Sequence, residues 1–269
     1  MALIGETPYG VLPVGGGDKA PPDADAIRAD AEAAEAWWRS ASFGHWWPRA
    51  TVLPPVRLAT DPAAWCAGGG MGVGPRNAPG LVRAALLALP GGTPCPEHVV
   101  LVVAGPVAPH AWRVSEGGVA VAPGRWVRRY AALPSGAGLG AWVHEHAHLL
   151  LDWPDLPTSP CLMGQGAWRR GGPAPPCPTL RLAAGWLTLI PAAAALPATA
   201  LAANVAMSLD WFGRQVLITR NGAEFAIHDR QRPGPPLACG TFADIAKPLL
   251  AGVASALAGI DAPGARSGA

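Results

Sequence analysis

His144, Glu145 and His148 stand in the order HExxH within a chain of 269 residues. Two histidines four residues apart on a helix lie on one face about one turn apart, so both imidazoles can reach one zinc ion. The glutamate beside the first is then placed to polarise a zinc-bound water. With seven histidines and seven glutamates in the chain, chance supplies only about 0.005 such matches. The spacing predicts a zinc site, with a solvated or core histidine cluster as the bland alternative. At about 100° per residue, His146 lies about 200° around the helix from His144. It cannot share the ion and is assigned a structural role.

A catalytic zinc needs a third protein ligand and an open position for water. Asp152 follows His148 by one helical turn and reaches the same face if the helix persists that far. Asp155 follows Pro154, which disfavours helical geometry at Trp153 and so puts the break just before Asp155. Turn chemistry around proline is the alternative role for either aspartate. On the residues alone both stay open.

These side chains need a helix and a scaffold beneath it. The helix is predicted from Ser135 or Gly138 to about Leu151, with Leu139, Val143, Ala147 and Leu150 on its core side. His98 to Ala104 (HVVLVVA) reads as a strand buried on both faces. Residues 10 to 16 read as a short strand in which Pro13 argues for an edge or irregular piece. An Ala/Glu/Arg-rich stretch from Pro22 to about Ser42 reads as a helix with Ile27, Ala34 and Trp38 on one face. A second helix covers roughly 79 to 89, after a Gly-rich loop. Two short strands lie within 118 to 130. Residues 214 to 218 and 223 to 227, around Asn221-Gly222, read as a β-hairpin. A further helix is predicted around Thr179 to Trp186, and another from Phe242 to Leu257.

Composition narrows the class. Half of the residues are hydrophobic and 14% are charged, the balance of a globular chain. A net charge of +2 without a basic stripe argues against nucleic acid as a partner. No secretory signal is visible in Met1 to Gly17. The uncharged stretch Leu187 to Met207 is interrupted by Pro191 and Pro197 and is rich in alanine. It is read as buried helix or strand-and-turn structure, so no membrane span is expected. Five cysteines give no CxxC pair. Cys161 with Cys177 is the favoured disulfide and Cys66 with Cys95 the weaker one, against buried free thiols as the alternative.

Beyond the motif, the chain resembles the immune inhibitor A family of secreted bacterial zinc metallopeptidases. The likeness runs through Pro154-Asp155-Leu156, Cys161-Leu162-Met163-Gly164, Gly166-Ala167-Trp168 and Leu182 to Trp186. Upstream it includes Trp37-Trp38-Arg39 with Ser42-Phe43-Gly44, and downstream Glu224-Phe225 through Asp229-Arg230. It implies an α+β, metzincin-like zinc peptidase domain with a twisted mixed sheet. An active-site helix would lie above the cleft and a loop-rich subdomain below it. The whole of 1–269 would be one catalytic domain, with an upper subdomain of about 1–150 and a lower one of about 151–269. His144 and His148 become ligands of one Zn2+ ion, Glu145 the general base, and Asp155 the third ligand by motif position. Met163 becomes the methionine turn under the metal. The chain departs from the family pattern at Leu151, where glycine is usual, and carries one extra residue before Asp155. Asp152 therefore remains the alternative ligand. Tyr130 is the one tyrosine in a segment expected to border the cleft, as a possible transition-state stabiliser.

The reaction implied is peptide-bond hydrolysis on a peptide or protein substrate, through a zinc-bound water with Glu145 taking its proton. Residues 118 to 130 would offer an edge strand to an extended substrate. A non-catalytic scaffold that binds zinc or a partner is the rival reading. The resemblance implies secretion; the lack of a visible signal leaves a cytoplasmic location as the alternative.

Overall fold

Twelve residues, Gly5–Gly16, form strand β1, around which the larger of two units is laid. The structure is a computed structural model that describes residues 3–62, 65, 78–105, 110–112, 119–122, 125–157, 159–191, 205–211, 214–221, 224–231 and 236–240. The larger unit comprises Ile4–Pro157 and Leu162–Pro175; the smaller comprises Met1–Leu3, Thr158–Cys161 and Pro176–Ala269. The expected division near residue 150 thus falls later, and 162–175 returns to the larger unit.

In the larger unit β1 is followed by α1 (Ala24–Ala41), β2 (Trp46–Val52), β3 (Val56–Leu58) and α2 (Ala78–Leu87). Then come β4 (His98–Val103), β5 (His110–Trp112), β6 (Val119–Ala122), β7 (Arg125–Val127), β8 (Arg129–Pro134) and α3 (Leu139–Leu151). The sheet order is β2-β1-β4-β8-β5, with β3 also paired to β1. All pairings are parallel except that of β5 with β8. The mixed α/β architecture with a largely parallel sheet agrees with the expected fold class at that level.

Strand β1 is central, not the edge piece that Pro13 suggested. Backbone groups of alternate residues in a parallel strand face alternate neighbours. Val11 accepts the Leu53 N–H on the β2 side, so Pro13 faces that side too. There the ladder is interrupted, since β2 pairs as far as Val11↔Val52 and β3 begins at Val14↔Val56. Pro8 faces the other side, before β4 pairing starts at Gly10↔Val99. Each proline sits where no ladder donor is needed.

Sheet alternation also sorts the core. Leu12, Leu101 and Ala132 bury against Leu81, Ala85 and Leu86 of α2. Val100, Val102, Ala131 and Leu133 are just as buried but face the other side, where α1 and α3 pack on each other and on the sheet. Helix α1 starts at Asp23, whose side chain accepts the Asp25 N–H. It buries Ile27, Ala31, Ala34 and Trp38, spaced one helical stripe apart.

The smaller unit holds α4 (Pro178–Ala183), β9 (Thr188–Pro191), β10 (Val205–Trp211), β11 (Arg214–Asn221), β12 (Glu224–Asp229) and β13 (Ala238–Gly240). Its five strands run in the order β13-β12-β11-β10-β9, so the expected loop-rich subdomain contains a sheet. The hairpin of β11 and β12 pairs Asn221 with Glu224. The apolar stretch after Leu187 begins and ends as strand, and no described helix is long and apolar enough to cross a membrane. The helix expected over Phe242 to Leu257 lies outside the described residues.

Candidate metal centre

Helix α3 carries both histidines and is buried almost all round, including His144, Glu145 and His146. It ends in a left-handed residue: Asp152 has φ 59° and ψ 30°, and its N–H and that of Trp153 both reach the Ala147 carbonyl. Aspartate tolerates this conformation better than most residues. Pro154 then forbids helical continuation, and the chain turns back towards His148.

That reversal brings Asp155 to the histidines. Its Oδ1 lies 3.3 Å from His144 Nε2 and 3.2 Å from His148 Nε2. The two Nε2 atoms are 3.1 Å apart. A tetrahedral ion with bonds of about 2.0–2.1 Å needs ligand atoms about 3.3 Å from one another. The triangle has that size.

Tautomers are fixed from behind. His144 Nδ1 donates to the Leu162 carbonyl at 2.9 Å, and His148 Nδ1 donates to the Trp153 carbonyl at 2.6 Å. A carbonyl can only accept, so in each neutral ring Nε2 keeps its lone pair and turns it inward. Two lone pairs and a carboxylate oxygen converging within 3.3 Å repel one another unless a cation lies among them. Burial lowers the His148 pKa, and His144 lowers it further, against the opposing pull of Asp155. The group His144, His148 and Asp155 could hold a metal ion.

Asp152 does not join the group. Its carboxylate lies 3.7 Å from Arg129 Nη2, and Arg129 Nη1 donates to the Leu149 carbonyl at the end of α3. The cation there suits the negative end of the helix. Met163 is fully buried in the turn after Cys161. Its carbonyl accepts the Leu156 N–H at 2.6 Å, one residue past Asp155. Leu162 and Met163 therefore orient His144 and hold the segment carrying Asp155. Glu145 is 4% exposed.

Tyr130 is a correction. It lies in the core cluster under α2, on the sheet face away from α3, and burial raises its pKa to about 12. Residues 119–122 and 125–127 pair with each other as a separate ladder. Among the described strands, β5 is one of the two edges of the main sheet.

Two features carried no role in the sequence reading. Trp168 is 58% exposed, and its ring lies 5.7 Å from that of His144, tilted by 41°. It sits in the 3₁₀ turn Gln165–Trp168, whose backbone approaches α3 at Gly140. A Cβ on Gly140 would meet the Ala167 carbonyl oxygen at 1.9 Å. The glycine one turn before His144 was the available signal.

Compared with known proteins, the chain matches no family model and no curated sequence.

Proposed function

We propose that this chain is a zinc-dependent endopeptidase. The observation that carries the reading is the convergence of His144 Nε2, His148 Nε2 and Asp155 Oδ1 with their lone pairs turned inward. Two imidazoles and one carboxylate form a donor set suited to a catalytic zinc. When bound, the ion supplies Lewis-acid activation of water and of the scissile carbonyl.

The remaining work belongs to the chain. Glu145 accepts the proton of the attacking water and returns it to the leaving amine. Leu162 and Trp153 keep the imidazoles in one tautomer through their carbonyls. An extended peptide would pair along β5, which lies against α3, and Trp168 would flank it on the His144 side. The resemblance to immune inhibitor A peptidases points to the same reaction.

The test is metal analysis together with hydrolysis of unstructured protein substrates. Wild-type protein should bind one zinc per chain and cleave. A His144→Ala, His148→Ala double variant should do neither. Full zinc content in that variant would overturn the site; zinc bound by the wild type without turnover would favour the non-catalytic scaffold.

A further inference from the structure

Cys161 and Cys177 stand at the two ends of the segment 162–175, which belongs to the larger unit while the chain on either side belongs to the smaller one. Both thiols are buried, and each is within hydrogen-bond reach of the other. Just inside them, the Leu162 N–H donates to the Pro175 carbonyl at 3.3 Å, and the Ala174 N–H to the Gly166 carbonyl at 2.8 Å. The segment so closed carries the carbonyl that orients His144 and the one that holds Leu156 beside Asp155.

We propose that Cys161 and Cys177 are a dithiol–disulfide couple that clasps the neck of this segment and holds the metal centre more firmly when oxidised. The clasp stands on the backbone closure of the segment that brings the two buried cysteines to its neck; its effect on metal rests on the function proposed above.

The oxidant is a small-molecule disulfide. Cys161 loses its proton, and its thiolate attacks one sulfur of that disulfide, expelling a thiolate and leaving a mixed disulfide. Cys177 then loses its proton and attacks the Cys161 sulfur, expelling the second thiolate. The two protons end on the two leaving groups, so two protein thiols are oxidised and one disulfide is reduced to two thiols. Cys161 reacts first, because the hydrogen bond with Cys161, and then burial, push the Cys177 thiol well above the ordinary range. The buried Arg181 guanidinium close to Cys177 favours the second thiolate. Burial makes the exchange slow, since it must proceed through local opening. A bond closing this short loop constrains the unfolded chain and resists reduction.

The experiment equilibrates the full chain in reduced and oxidised glutathione, traps thiols by alkylation and maps peptides by mass spectrometry. Oxidised protein should lose two of its five alkylatable thiols and yield one linked peptide pair containing Cys161 and Cys177. Full alkylation of both in oxidising buffer, or a different pairing, overturns the couple. Hydrogen exchange on metal-free protein then reads the clasp: amides of 162–168 should exchange several-fold faster after reduction, and equal rates overturn it. Zinc release to a chelator should accelerate on reduction, and a Cys161→Ser, Cys177→Ser double variant should release zinc at the reduced rate in both buffers. Oxidised and reduced proteins that release zinc equally overturn the coupling. Failure to bind zinc at all overturns both the coupling and the metalloenzyme reading, while peptide mapping still decides the bond.

Discussion

His148 shows how the site is built at the scale of single residues. Its Nδ1–H is committed to the Trp153 carbonyl and its protonation is disfavoured by burial, so Nε2 faces Asp155 as a lone pair. Asp155 itself is well exposed, and only the backbone on either side of it is tied down, by Trp153 and by Leu156. Asp155→Ala should therefore weaken zinc binding far more than Asp152→Ala, which removes a carboxylate 3.7 Å from Arg129 Nη2 and outside the histidine group; the reverse order in a zinc titration would move the third ligand to Asp152. Glu145→Gln keeps the volume and removes the proton acceptor. It should retain full zinc and lose turnover by ~10²-fold or more, and unimpaired hydrolysis by this variant would take Glu145 out of the mechanism. The pairing of His144 with His148 was legible because helical geometry converts a spacing of four directly into proximity. The approach of Asp155, favoured over Asp152 by motif position, could not be read from helical spacing, because it depends on the left-handed turn at Asp152. Tyr130 could not be placed from sequence because the alternation of β8 sets which sheet face it occupies, and nothing near it in sequence says which face α3 covers.

Among the elements, α3 and the 3₁₀ turn after Met163 form the tightest match. Helix α3 is covered nearly all round, its histidines and Glu145 included, by α1, by the sheet and by that turn. The strand β4 was readable from its unbroken apolar run. The placement of β1 was not, since a proline's tolerance depends on which neighbour is missing opposite it. At Gly140 the turn comes so close that a methyl group would overlap the Ala167 oxygen. Gly140→Ala should push the turn outward, separating Trp168 from His144 and loosening the Leu162 carbonyl. Overpacking of this kind costs ~1–3 kcal/mol, more than the gain from a better helix former, roughly 1 kcal/mol. Chemical denaturation of the metal-free variant measures it, and an unchanged or higher stability would show that the turn can yield without cost.

At the scale of the whole molecule, each unit holds a histidine kept neutral by its surroundings, fully buried in the larger unit and half-buried in the smaller. His146 in the larger unit has its pKa lowered by burial to about 3, packed edge-on against Tyr9 and near Trp142. His228 in the smaller unit has its pKa lowered to about 4 by burial and by the nearby Arg181. In the unfolded chain both titrate near the ordinary histidine value of about 6.5. Between about 6.5 and these lower values the unfolded chain therefore binds protons that the folded chain does not. Stability must rise with pH across that window, and it is lost as pH falls through it, by at most about 1.4 kcal/mol per pH unit for each histidine. Above pH 6.5 neither histidine contributes a slope. Metal-free protein is the material for the measurement, because His144 and His148 would add their own proton-linked loss of zinc. Urea unfolding at pH 7 and pH 5 should show lower stability at pH 5, and a His146→Phe variant should show a shallower decline than the wild type in the larger unit. Equal slopes in the two proteins would mean that His146 is not the buried neutral base that its surroundings require.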